Sequence, residues 1–168
     1  ILISLFFGLA VACSTLLGHR LGAEEYEAAW QHSQLFLLLA PIGALLVGIA
    51  VWLLQTNLLQ WVGNLPGELM GEAGQVLAIM CLGMLLKVFN MVGIVGVLRS
   101  GGDVNYSIFI DIVGMWCIGL PLAWAAVSLL GWPLSWVVAV VLLEELCKVL
   151  LVQRRIRQRH WLKNLVMG

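Results

Sequence analysis

Long apolar runs broken by short charged turns organise this chain. The first 19 residues contain no Asp, Glu, Lys or Arg. A polar turn over residues 20–27 then leads into a helix whose acids sit in its first turn, where the helix dipole favours negative charge. Residues 28–67 again carry no formal charge. Gln55, Asn57, Gln60 and the stretch 63–67 mark where that second helix gives way to a loop. A bilayer core of ~30 Å needs about 20 residues of apolar helix. The pattern therefore predicts five spans, at about 1–18, 30–54, 73–98, 105–129 and 134–153, followed by a basic tail over 154–168. Pro41 and Pro121 fall inside spans and mark bends. Gly101 and Gly102 make a tight turn between Arg99 and Asp103. The chain begins at Ile1, inside an apolar run, and reads as a piece of a longer protein.

Composition agrees with a lipid solvent. Of 168 residues, 62% are hydrophobic and 11% charged, and the mean hydropathy is +1.02. Soluble domains carry about one quarter charged residues. The expected fold class is all-α, a polytopic membrane helix bundle. Zero formal net charge excludes a nucleic-acid binder that relies on basic excess. Cys13, Cys81, Cys117 and Cys147 lie far apart without metal-ligand or disulfide spacing, so packing accounts for them.

Basic residues set the orientation. Arg20, Arg99, Arg154, Arg155, Arg157, Arg159 and Lys163 fall on one side, and the loops near 55–71 and 130–133 have none. The positive-inside rule makes the charged turns and the C-terminus cytoplasmic. Trp30 and Trp161 suit the inner interface; Trp52, Trp61, Trp132 and Trp136 suit the outer one. The tail, with Ile156, Leu162 and Val166 among basic residues, suits either the inner leaflet surface or a plain stop signal.

Five ionisable residues fall inside the predicted spans: Lys87, Asp111, Glu144, Glu145 and Lys148. Each costs at least ~2.5 kcal/mol at mid-span unless paired or hydrated. A rise of about 1.5 Å per residue puts Asp111 and Lys148 at similar depths, and Glu144 and Lys87 at similar, greater depths. This suggests pairs Asp111–Lys148 and Glu144–Lys87 within one polar cluster, in competition with same-helix pairing of Glu144 or Glu145 to Lys148. Three acids face two ammonium groups, so one carboxylate is left to hold a proton or cation. Structural ion pairing and an ion pathway both account for these residues. Glycine is abundant at 18 residues, and Gly83, Gly93 and Gly96 let the third span approach its neighbours closely.

Three motifs in order give a family resemblance. The segment Leu98, Arg99, Ser100, Gly101, Gly102 and Asp103, followed by Asp111, Trp116, Gly119, Pro121 and Ala123, resembles the second half of multidrug and toxic compound extrusion (MATE) transporters. Upstream, Gly18, Leu21, Gly22, Ala23 and Ala28 are similar to a family turn. Downstream, Glu144, Glu145, Lys148, Arg155, Trp161 and Asn164 are similar to its bacterial ending. The resemblance implies helices eight to twelve of a twelve-helix, two-lobed antiporter in a bacterial-type inner membrane. Such proteins export cationic or amphipathic small molecules in exchange for sodium ions or protons. It also implies a missing N-terminal lobe, no resident cofactor and no enzymatic chemistry. The family's best-known cation-binding acids lie on helices absent here, and where some members carry an Asp on helix ten this chain has Val88. Lys87, Asn90, Asp111, Glu144, Glu145 and Lys148 remain as candidate pathway residues. The alternatives are a lipid-linked oligosaccharide flippase of the wider superfamily, for which only Lys87 supplies a basic group near the midplane, and a membrane scaffold subunit. An intramembrane enzyme lacks support, since His19, His32 and His160 all sit near span ends.

Overall fold

The structure is a computed structural model that describes residues 2–62 and 67–164. Among these, α1 (Leu2–Gly22) turns into α2 (Tyr26–Leu53), followed by the short α3 (Gln55–Val62). Helix α4 (Gly67–Met91) continues without interruption as a π-helical segment, Val92–Leu98. Next, α5 (Val104–Val113), a second π-helical segment (Gly114–Gly119) and α6 (Leu120–Ser128) form one rod, and α7 (Leu134–Arg157) closes the bundle. No strand occurs among the described residues, and the fold is an all-α polytopic helix bundle.

Four of the rods are long and apolar enough to cross a membrane: 3–22, 26–53, 69–98 and 104–128. The fifth, α7, has comparable length but carries Glu144, Glu145 and Lys148 in its middle. Its charges are tolerable because two of them, Glu144 and Lys148, are buried against other helices rather than facing lipid. The outward surface is apolar: Leu46, Leu82, Trp116 and Leu150 are all more than 60% exposed. In water such a surface would be an aggregation hazard; in lipid it is the expected exterior.

Helix α4 is the central rod, packed against α2 on one side and α7 on the other, while α1 lies along the π-helical segment Val92–Leu98. Lipid removes the hydrophobic drive between helices, so close backbone approach must supply the packing. A Cβ added to Gly96 would lie 3.2 Å from the Ala10 carbonyl and 3.1 Å from Cys13 Sγ. At Gly48 it would lie 2.9 Å from the Cys81 carbonyl. Cys13 is buried in this contact, and none of the four cysteines is in a disulfide.

Two local expectations change. Gln55, Asn57 and Gln60 lie on the short helix α3, not on a loop. Polar side chains end the apolar span but leave the backbone hydrogen-bond ladder free to continue at a membrane surface. The turn expected at 63–66 lies outside the described residues, as does Val166 in the tail. Among the described tail residues, Ile156 and Trp161 are fully buried against protein, so Trp161 is no interfacial anchor.

Candidate functional site

The charged turn after the third span is built as a helix stop. Gly102 sits at φ +78°, a left-handed conformation that costs glycine little. This lets the Gly102 amide donate to the Arg99 carbonyl (3.1 Å) and the Asp103 amide to the Leu98 carbonyl (3.0 Å). These are the two bonds of a Schellman ending. Asp103 then faces α7. Arg155 donates from Nε to Oδ2 (2.6 Å) and from Nη2 to Oδ1 (3.1 Å). The same guanidinium lies 4.5 Å from the centre of the Tyr106 ring. The hydrogen bond to Asp103 pushes the Arg155 pKa further up, against the opposing effect of burial. Gly101 is buried against the Trp161 backbone, with no room for a Cβ. Beyond it, Arg159 pairs with Glu27 (3.2 Å) and stacks 4.4 Å over Trp30. Asn164 reaches Glu24 at 3.4 Å. The motif turn and the tail together tie the ends of α1, α2, α4, α5 and α7.

Deeper in the bundle, the ionisable residues separate into independent groups. Glu144 and Lys148 form an ion pair at 2.5 Å along one face of α7, and each residue is only 8% exposed. They fit there because the facing π-helical segment offers two glycines. A Cβ on Gly119 would strike the Glu144 carboxylate, and one on Gly114 the Lys148 side chain. Asp111 instead pairs with Arg99 at 3.6 Å on the surface, both about two-fifths exposed. The expected pairs Asp111–Lys148 and Glu144–Lys87 are therefore absent, and no single cluster unites the five charges. Depth along the membrane does not decide pairing by itself, because pairing also depends on which way around the helix each side chain points.

Glu145 points to α4. Asn90, 4% exposed, donates from Nδ2 both to the Glu145 carboxylate (2.8 Å) and to the Glu145 backbone carbonyl (2.9 Å). Asn90 Oδ1 is buried and has no hydrogen-bond partner among the described residues. Lys87, about one turn earlier on α4, is exposed and makes no ion pair among the described residues. It borders an apolar cleft of about 490 Å³ lined by residues such as Met80, Met84, Val137 and Val141. Among the described residues no cluster of three metal-ligating side chains occurs.

The sequence pointed to Arg99, Gly101, Gly102 and Asp103 as motif residues but not to their role in seating Arg155 and Trp161. It also missed Gly114 and Gly119 as the notch for the buried ion pair. Two glycines on the span beside the charged one were the available signal.

Comparison with known proteins agrees with this architecture. The chain is 26% identical over 162 residues to the uncharacterized transporter YisQ of Bacillus subtilis (strain 168). That alignment covers 95% of this chain and 35% of the relative, so the chain spans about a third of the length of the curated protein it matches. No solved structure matches it. The model of the MatE family matches residues 1–125, which take in α1 to α5, the motif turn, both π-helical segments and the start of α6, and on that match the chain belongs to the MatE family.

Proposed function

We propose that the chain forms part of the C-terminal lobe of a secondary-active antiporter. The transporter exports cationic or amphipathic small molecules in exchange for sodium ions or protons. The observation that carries this reading, beyond family membership, is the polar contact between α4 and α7. Glu145 and Asn90 face each other inside a membrane bundle, and ionisable groups inside membrane spans are rare and commonly mark an ion or substrate path. A covalent mechanism gains no support, because no histidine lies in the middle of a span. The bilayer is that of a bacterial-type inner membrane, with the motif turn and the C-terminus on the cytoplasmic side.

Transporter sites commonly lie between two pseudo-symmetric halves. The test uses the intact protein as natively expressed, reconstituted in liposomes with an imposed sodium or proton gradient. Gradient-driven efflux of a lipophilic dye cation is expected, and none from the 168-residue chain alone. Equal efflux with and without either gradient would remove the antiport reading.

A further inference from the structure

We propose that Arg154 and Arg157 form a binding site for the phosphate of an anionic phospholipid, in the furrow between α2 and α7 at the end of the bundle where α7 stops. The inference goes beyond the transport reading and does not rest on it.

Three observations carry it. The first is the furrow. Helices α2 and α7 each pack on α4, but among the described residues they do not pack on each other. A strip of α4 therefore lies open between them. Near the end of α7 it holds a hollow of about 190 Å³, with Gln34 and Leu38 on one wall, Phe89 on the floor and Gln153 and Arg157 on the other wall. A second hollow of about 370 Å³ adjoins it along α7, sharing Gln153 and Arg157 and adding Arg154 and Leu150.

The second is charge. Of the four arginines that end α7, Arg155 is held by Asp103 and Arg159 by Glu27. Arg154 and Arg157 stand three residues apart, on one face of the helix. Neither makes an ion pair or a side-chain hydrogen bond among the described residues, and no acid lines either hollow. Two neighbouring guanidinium groups without an acid repel each other, and one anion between them answers both. Their forked donors match phosphate oxygens. The carboxamides of Gln34 and Gln153 add further N–H donors at the same place.

The third is where the hollows open. Leu38 is 60% and Leu150 62% exposed, so the lips of the furrow belong to the apolar exterior. Phe89 is two residues, and so about 200° around α4, from Lys87. The furrow thus opens on the face of α4 opposite the 490 Å³ cleft. Its occupant must lay hydrocarbon along Leu38, Phe89 and Leu150 and bring a negative headgroup to Arg154 and Arg157. An anionic phospholipid does both, and basic pockets between membrane helices take such headgroups. Free phosphate would leave the apolar bed unused. A zwitterionic lipid brings an ammonium of its own to two arginines.

The experiment counts lipid bound to the intact, detergent-purified protein by native mass spectrometry, as dioleoylphosphatidylglycerol or dioleoylphosphatidylcholine is added. Phosphatidylglycerol is expected to bind about tenfold more tightly or better, as two basic side chains at an anionic headgroup imply. Arg154→Gln and Arg157→Gln should each weaken it about fivefold, the weight of one such side chain. Both should leave phosphatidylcholine binding and the lipid-free unfolding temperature at native values. Arg157→Lys keeps the charge but not the fork, and should recover only part of the loss. Lys163→Gln removes a positive charge from the same tail outside both hollows, and should change binding by less than about twofold. Equal binding of the two lipids by the native protein would overturn the proposal, as would a preference that survives both arginine substitutions. So would a Lys163→Gln loss as large as theirs, which marks diffuse surface charge. Displacement of the lipid by an equal concentration of glycerol phosphate would also overturn it, by showing a site for the free anion.

Discussion

The backbone carbonyl of Trp161 occupies the space that a Cβ on Gly101 would need. Sixty positions separate the two residues, yet the family-motif glycine and the buried tryptophan form one contact, with the Trp161 indole donating to the Ile156 carbonyl at 3.3 Å. The Arg-Ser-Gly-Gly-Asp turn is thus a socket, and the tail is its plug.

Gly101→Ala should therefore unseat the tail. Overpacking of this kind costs about 1–3 kcal/mol, and emptying the niche with Trp161→Ala about 3–5 kcal/mol. Both variants should expose the arginines at 154–159 to trypsin much faster than the native protein, measured by limited proteolysis. Ser100→Ala, next to the niche, serves as the control and should digest at close to the native rate. Equal digestion of Gly101→Ala and the native protein would show that the socket does not hold the tail.

The Asp103–Arg155 pair should show coupling in a double-mutant cycle with Asp103→Asn and Arg155→Gln. It is bidentate and partly shielded, with side chains 14% and 24% exposed. A coupling of about 1–2 kcal/mol is expected, above the ~0–1 kcal/mol of open surface pairs. The guanidinium pKa is raised in the folded state. Its stabilisation is thus complete below the unfolded value and lost only as pH climbs through the folded one, far into alkali. Coupling measured by chemical unfolding should stay level from neutral to mildly alkaline pH. A steady fall across that window would contradict the assignment.

Breaking the Glu144–Lys148 pair should be more damaging. Lys148→Ala leaves a buried carboxylate in the glycine notch, a loss of about 3–5 kcal/mol. Adding Glu144→Gln should return much of it, whereas adding Asp111→Asn should return nothing, since Asp111 belongs to Arg99. Thermal unfolding of the three variants in detergent decides this. Rescue by Asp111→Asn would restore the pairing expected from depth alone.

Much of the helical layout was readable from where charges stop and start. Lipid forbids unpaired backbone in its core, so an apolar run of sufficient length has few alternatives to a helix. What escaped was lateral. The polar residues at 55–60 suggest a loop, yet polarity there ends only the apolar span and not the helical structure. Depth alone matches Lys148 to Asp111, whereas rotation about α7 turns it to Glu144, the same-helix alternative, and to the gap over Gly114. Trp161 looked like an interfacial anchor because tryptophan favours that layer. A glycine socket far back in the chain was competing for it. In the sequence Asn90 is only a polar residue in a span; that its Oδ1 has no donor among the described residues is a fact of geometry.

The plug and its socket also order events during biogenesis. When the ribosome has delivered Gly101 to the membrane, Trp161 is still sixty residues away in the sequence. Helices α1 to α6 must then be threaded and assembled with this seam open. The seam shuts only after α7 has inserted and residues 155–161 have cleared the exit tunnel. Closure of this face is therefore a late maturation step. Until it occurs, the newly inserted protein offers quality-control proteases an unsealed end, however well its membrane helices are already packed.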